Sequence, residues 1–369
     1  MTQSDTDIIV IGAGPAGLSA AAEAARLGAA VLVLDENDRP GGQLFKQIHK
    51  FFGSKDHRAG VRGYAIGDSL LAETARLGAR IELGAVVYAI YPDRRVAVIT
   101  ADQRRLLLTP KKIILATGAS ENALAFPGCT LPGVMSAGAV QTMVNLHRVL
   151  PADKTLMVGS GNVGLIVSYQ IRQAGGKVAA LVEAAPVIGG YGVHAAKISR
   201  LGVPILTGHT VKCVHGTDRV EGATLVALDD KFRAVPGSER DIEIGCVAIA
   251  VGLTPLAELA LMCGCGFTYI PKLGGHLPVH DDNMETTAAG IYVAGDITGV
   301  EEASSAMEEG RLAGIAAAEA LGRVAPSEAA ALKQAVWARL NALRTGRFGQ
   351  ARRDAKERIT AEGRGAHVV

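Results

Sequence analysis

Short apolar runs that end in glycine alternate with alanine-rich stretches along most of this chain. Ile8-Ile9-Val10-Ile11 passes through Gly12-Ala13-Gly14-Pro15-Ala16-Gly17 into an Ala-rich stretch and emerges at Val31-Leu32-Val33-Leu34-Asp35. Apolar runs without polar alternation read as strands covered on both faces, so strand, turn, helix and strand within about thirty residues predict a βαβ unit with parallel strands. The same grammar returns at Thr155-Leu156-Met157-Val158, Gly159-Ser160-Gly161-Asn162-Val163-Gly164, a helix to about Gln173, and Val178 to Val182 with Glu183. Two such units predict an α/β fold with two parallel sheets.

Between the units, Val61 to Gly78 reads as helix, Arg80 to Ala89 and Val96 to Ile99 as strands, and Lys112 to Gly118 as a further apolar strand ending in glycine. Cys246 to Gly252 and Gly290 to Asp296 repeat that ending, the latter before a helix starting near Glu302. Pro/Gly punctuation at Phe126-Pro127-Gly128, Leu131-Pro132-Gly133 and Pro271 to Gly275 marks linkers. The reading is a first domain over 1–125 and 276–325, interrupted by a second over 126–275. Residues 326–369 read as a helical basic tail, with Arg344, Arg347, Arg352, Arg353, Lys356 and Arg358 on a solvated outer face or, alternatively, on a docking surface for a partner protein.

Composition narrows the class. At 369 residues the chain has room for two to three domains at about 150 residues each. With 49% hydrophobic and 20% charged residues it should fold compactly. Lys+Arg 38 against Asp+Glu 36 leaves a net charge of +2, too balanced for a nucleic-acid or anionic-lipid partner. Cys129, Cys213, Cys246, Cys263 and Cys265 form no CxxC pair, and their odd number argues for a reducing, cytoplasmic setting. The uncharged run Ile8 to Ala22 follows Asp5 and Asp7 rather than a basic segment and is broken by Gly-x-Gly-Pro, unlike a signal peptide. No apolar stretch reaches the ~18 residues of a membrane span.

The glycine turns carry the chemistry. Gly12 permits a tight turn, Gly14 lets a pyrophosphate approach the backbone, Gly17 lets helix pack on strand, and the helix N-terminus supplies N–H groups and positive dipole. Asp35, eighteen residues beyond Gly17, and Glu36 stand where an adenosine ribose would need an acceptor. Pro40-Gly41-Gly42-Gln43 follows at once, a turn with no side-chain obstruction along which a large flat ligand could lie. Gly295-Asp296 places a carboxylate at a strand end, able to hold polyol hydroxyls, while the next helix N-terminus faces an electron-rich ring. FAD has such a ribityl chain.

These motifs, with the Ala-Thr-Gly ending of Ile113 to Gly118 and Thr287 to Asp296, resemble the two-dinucleotide-binding-domain flavoproteins of the thioredoxin reductase-like type. The resemblance implies a Rossmann-type FAD domain with an inserted NAD(P)-binding-like Rossmann domain. It implies FAD contacts at Gly12, Gly14, Pro15, Ala16 and Gly17, at Asp35 or Glu36, and at Gly41, Gly42 and Gln43. Further contacts fall at Val87, Thr117, Gly118, Gly295 and Asp296, with Ala303 and Ser304 facing the flavin pyrimidine edge. Noncovalent FAD is expected, since nothing marks a flavin-linking His or Cys.

Leu131 to Gln141 and Glu301 to Arg311 are similar to segments of the α subunits of heteromeric sarcosine oxidases, opine oxidases and dye-linked proline or hydroxyproline dehydrogenases. In that family a separate β subunit usually oxidises a secondary amine and the α chain helps pass electrons on. Many longer relatives carry a Cys-rich [2Fe-2S] segment at the C-terminus, whereas no cysteine follows Cys265 here, so a cluster would come from a separate iron-sulfur protein. Disulfide reduction needs two thiols that attack in turn, and the sequence offers no CxxC; Cys263-Gly264-Cys265 reads as small buried residues.

In the second unit Gly159, Gly161 and Gly164 are placed to cradle a pyrophosphate, and Glu183 favours NAD(H) over NADP(H) because a carboxylate repels a 2′-phosphate. Gly189-Gly190-Tyr191-Gly192 follows where the adenosine would lie, which leaves another adenine nucleotide such as ATP, or no ligand, as alternatives. His49, His147, His194, His209, His215 and His276 form no HxxH pattern, so no metal is assigned, and no catalytic acid or base can be named. The sequence points to an FAD-dependent oxidoreductase, the α-type component of a complex in which a β flavoprotein works with it on a small amine or amino acid. The alternatives are a stand-alone NADH-dependent flavoprotein reductase of a ferredoxin or small acceptor, and a nucleotide-sensing scaffold with a structural flavin.

Overall fold

In the computed structural model, which describes residues 6–51 and 54–366, Ile8–Ile11 is the central strand of a five-stranded sheet ordered Ile291–Val293, Lys112–Leu115, Ile8–Ile11, Val31–Asp35, Arg80–Leu83. Neighbours run parallel, with Ile8 opposite Val31 on one side and Lys112 on the other. Both faces are covered, which explains runs without polar alternation. Ile8, Val10, Val31 and Val33 pack with helices Pro15–Arg26, Gly63–Arg76 and Ala303–Glu319. Ile9, Ile11, Leu32 and Leu34 pack with an antiparallel sheet, Val86–Ile90, Val96–Ile99 and Arg105–Leu108, the last strand being additional to those read from the sequence.

This first unit comprises residues 1–120 and 254–369, and the second residues 121–253. The segment 254–275, read from sequence as part of the insert, packs with the first unit: Ala257, Ala260, Cys263 and Cys265 are buried in one cluster with Ile9 and Leu32. The Pro271 to Gly275 punctuation is no linker. It is the turn of a hairpin pairing Phe267–Ile270 with Gly275–Pro278.

The second unit repeats the plan, with parallel strands ordered Ile205–Thr207, Lys177–Glu183, Lys154–Val158, Cys246–Ile249, Val134–Ser136. Helices Asn162–Gln173 and Gly192–Arg200 cover one face, and an antiparallel sheet, His209–His215, Gly222–Ala227 and Arg240–Glu243, covers the other.

Two C-terminal helices, Pro326–Leu343 and Gly346–Ala366, belong to the first unit. Their basic residues do not share one solvated face. Arg344 and Lys356 are buried, because carboxylates of the Ala303–Glu319 region wait beneath them, while Arg358 is exposed. Asp5 and the Arg347 side chain lie outside the described residues. Among the described residues no helix is long and apolar enough to cross a membrane.

Candidate functional site

The three glycines of the first turn divide by what the fold demands of them. Gly12 has φ +106° and a Cβ there would lie 2.3 Å from Ala116 O; a Cβ on Gly17 would lie 1.8 Å from Gly12 O. Neither position admits a side chain. Gly14 differs: its φ of −76° is open to any residue, and a Cβ would come no nearer than 3.9 Å to Gly42 Cα. The fold does not need this glycine. It stands at the start of the Pro15–Arg26 helix, where Pro15 occupies the first turn and no side chain caps the N–H groups of Ala16 and Gly17. Uncapped N–H groups beside an unobstructed glycine fit a phosphate.

Gly41 and Gly42, at φ +102° and +52°, seat the next turn directly on the first. Gly41 N–H donates to Ala13 O at 2.7 Å, and a Cβ on Gly42 would lie 2.9 Å from Gly14 Cα. Gln43 is exposed beside them. Asp35 is buried and turned inward, accepting from Ala13 N–H at 2.6 Å and from the backbone and side-chain N–H of Asn37 at 2.8 Å each. It clamps the turn, and Glu36, exposed, is the carboxylate that faces outward.

Thr117 donates its hydroxyl to Leu256 O at 2.6 Å, and Gly118, at φ +77°, accepts from Leu256 N–H at 3.0 Å. These bonds explain why the chain re-enters the first unit near residue 254. Val87 lies half-buried on its antiparallel strand against the same cluster as Leu115 and Ala257. Gly295 N–H donates to Glu309 at 3.0 Å, and Asp296 accepts from Glu301 N–H at 3.3 Å. Burial pushes the Asp296 carboxyl up to about 6, with Lys356 opposing and Glu309 and Glu301 adding to the rise. Ala303 and Ser304 open the following helix, whose N-terminus also lacks a side-chain cap.

The sequence reading missed the groups beneath this motif. Glu309 accepts from Gly295 N–H and Thr298 Oγ1–H with one carboxylate oxygen and faces Lys356 Nζ at 2.8 Å and Arg344 with the other. Burial alone would raise Glu309, yet Lys356 and Arg344 hold it down at about 2. Arg344 also reaches Glu301, with Nε at 3.1 Å from each carboxylate oxygen. The one signal available was Glu308-Glu309 inside an otherwise Ala-rich helix. Glu308 is likewise buried, bonded to His57 at 3.0 Å and to Arg339 and Arg311, which ties the loop after Gln43 to that helix.

The second unit has the same clamp. Gly159 and Gly164 admit no Cβ, which would lie 2.2 Å from Ala250 O and 2.1 Å from Gly159 O, whereas Gly161 has nothing within 4 Å. Glu183 accepts from Ser160 N–H at 2.9 Å and Oγ–H at 2.6 Å, and from Ala185 N–H at 2.9 Å. Here too the loop after the acid folds back onto the turn. Gly189 N–H donates to Ser160 Oγ, Gly190 N–H to Ser160 O and Tyr191 N–H to Asn162 Oδ1, all within 2.9 Å. A Cβ on Gly190 would lie 2.9 Å from Asn162 N, the first helical nitrogen.

All five cysteines are unpaired. Cys263 and Cys265 lie in the first unit's core, where burial pushes Cys263 up to about 12 and raises Cys265 as well, so neither is a thiolate near neutral pH.

Residues 6–310 match the family described as pyridine nucleotide-disulphide oxidoreductase, and the chain belongs to that family of FAD-dependent oxidoreductases with a NAD(P)-binding domain. It is 31% identical over 332 residues to the opine oxidase A-subunit of Agrobacterium tumefaciens (strain Ach5), covering 84% of this chain and 65% of that protein, so it spans just under two thirds of that relative's length. It is 27% identical over 360 residues to hydrogen cyanide synthase subunit HcnB of Pseudomonas aeruginosa, covering 92% and 77%. Thioredoxin reductase of T. acidophilum shares the fold at TM-score 0.70 and 23% identity, over 85% of this chain and 98% of that one.

Proposed function

We propose that this chain is the α-type subunit of a heteromeric, cytoplasmic dehydrogenase or oxidase of secondary amines or imino acids, of the sarcosine, opine, proline or hydroxyproline type. In this reading a β flavoprotein subunit meets the substrate and a separate iron-sulfur protein receives electrons. The relatedness to the opine oxidase A-subunit supports the class. The observation that supports it is the loop Gly189 to Tyr191 folded onto the second glycine turn, its N–H groups bonded to Ser160 and Asn162; in this reading that turn does not take NADH. With NADH not taken up and no exchangeable thiol pair, this reading has electrons arrive from a partner.

Bound FAD would supply an acceptor for two electrons and a proton. The chain's own residues hold it. Gly14 and the first-turn N–H groups take the pyrophosphate, Glu36 the ribose, the Asp296 carboxylate the ribityl hydroxyls, and the N-terminus at Ala303 and Ser304 turns its positive end to the ring. Native purification with identification of co-purifying chains tests the reading, which expects a second flavoprotein; a homomeric assembly would refute it.

A second reading, a stand-alone NADH-dependent reductase of a ferredoxin or small acceptor, draws on Glu183 at its strand end and on the unobstructed Gly161. It expects NADH to bleach the flavin of the isolated chain.

A further inference from the structure

We propose that Lys356 and Arg344, carried by the two C-terminal helices, are positioning residues of the flavin site: through Glu309 they hold the Gly295 turn that carries Asp296. The inference rests on the FAD site proposed above and extends it to a segment outside the glycine motifs.

The geometry is a relay of buried charges. Glu309 is 2% exposed and joins the motif to the tail, one oxygen on Gly295 N–H and Thr298 Oγ1–H, the other on Lys356 and Arg344. A carboxylate taken out of water without a counter-charge gains a proton or leaves, so the Gly295 contact in its charged form depends on cations from residues 344 and 356. Gly295 has no slack: a Cβ there would lie 2.8 Å from Ala16 Cβ in the first glycine turn. What holds Gly295 therefore also fixes how the two halves of the proposed site meet.

Asp296 feels the same groups. The charged side chains acting on it are Glu301 from the loop before the Ala303–Glu319 helix, Glu309 from that helix and Lys356 from the last helix, while Arg344, at the end of the Pro326–Leu343 helix, pairs with Glu301 and Glu309. His280 also borders the cluster and is held neutral by burial and by Lys356. Lys356 favours the Asp296 carboxylate, while Glu309 and Glu301 oppose it. A protonated Asp296 has lost one acceptor for hydroxyl groups, so removal of Lys356 should weaken FAD and do so in a pH-dependent way.

The test is FAD titration of the full-length apoprotein from pH 5 to 8, followed by flavin fluorescence, in wild type, K356M, K356R, E309Q and the K356M/E309Q double variant. K356M should raise the pH at which FAD is released by about one unit, weakening FAD about twofold at pH 7 and approaching tenfold at pH 5. K356R should restore both. E309Q, which removes a charge opposing Asp296 ionisation, should lower the release pH, and the double variant should lie between. Loss of packing alone would not move the release pH in opposite directions. K356M with wild-type affinity and release pH would overturn the inference, as would a double variant no closer to wild type than K356M. If K356M does not fold, E309Q decides, and an unchanged release pH overturns it. Wild type that takes up no FAD would overturn the flavin site itself, and this inference with it; wild type that binds while the variants match it overturns the inference alone.

Discussion

Gly14→Ala separates what the fold requires from what a ligand requires. In the apoprotein the added methyl meets nothing closer than Gly42 Cα at 3.9 Å, at a φ of −76° that alanine accepts. Two small effects oppose each other. Alanine restricts the unfolded chain, gaining about 0.4–1 kcal/mol, and is a poorer helix N-cap than glycine by about 0.5–1 kcal/mol. Net stability should change by no more than about 0.5 kcal/mol, the difference between those two effects. Against a pyrophosphate lying on the turn, the same methyl is an overpacking error of about 1–3 kcal/mol, or roughly 5- to 150-fold in Kd. Gly17→Ala is the contrast: its Cβ would sit 1.8 Å from Gly12 O, so the turn itself must break. Urea denaturation of the apoproteins and FAD titration by fluorescence give the two readouts. Unchanged FAD affinity in Gly14→Ala, or a urea midpoint lowered as far as in Gly17→Ala, would refute the reasoning.

Three further outcomes follow from the same geometry. Gly310→Ala forces a Cβ to within 2.1 Å of Ala16 O; the two helices have to part, and urea denaturation should show a loss of about 1–3 kcal/mol. Glu309 is held at about 2 against an ordinary 4.5, so it contributes stability that is present above pH 4.5 and lost as pH falls towards 2. Urea midpoints taken down that range should fall less steeply in E309Q than in wild type, and parallel curves would refute the assignment. Burial keeps the Cys263 and Cys265 thiols protonated, so iodoacetamide at pH 7.5 should label neither in native protein, as read by peptide mass mapping, and both after unfolding.

Local chemistry made much of the fold legible. Ile8 to Ile11 and Thr155 to Val158 read as doubly covered strands because their apolar runs lack alternation, and both are buried centres of parallel sheets. The glycine spacing marked both turns, since Gly12, Gly17, Gly159 and Gly164 leave no room for a Cβ. What escaped the sequence was decided by distant partners. Residues 257–265 carry small and sulfur side chains whose membership in the first core depends on Ile9 and Leu32, more than 200 positions away. Arg344 and Lys356 read as solvated because a run of basic residues usually is; the carboxylates that bury them lie on another helix. The inward turn of Asp35 and Glu183 was hidden for a similar reason. A carboxylate at a strand end looks the same in sequence whether it awaits a ribose or holds the backbone N–H of Ala13 or Ser160.

The most direct measurement is an anaerobic titration of the FAD-loaded chain with NADH, following the flavin absorption band, then repeated with a secondary amino acid after the partner flavoprotein is added. With the loop Gly189 to Tyr191 over the second glycine turn, NADH should leave the band of the isolated chain unchanged, and the amino acid should bleach it only in the assembled complex. Rapid stoichiometric bleaching of the isolated chain by NADH would contradict the heteromeric reading and establish the self-sufficient reductase in its place.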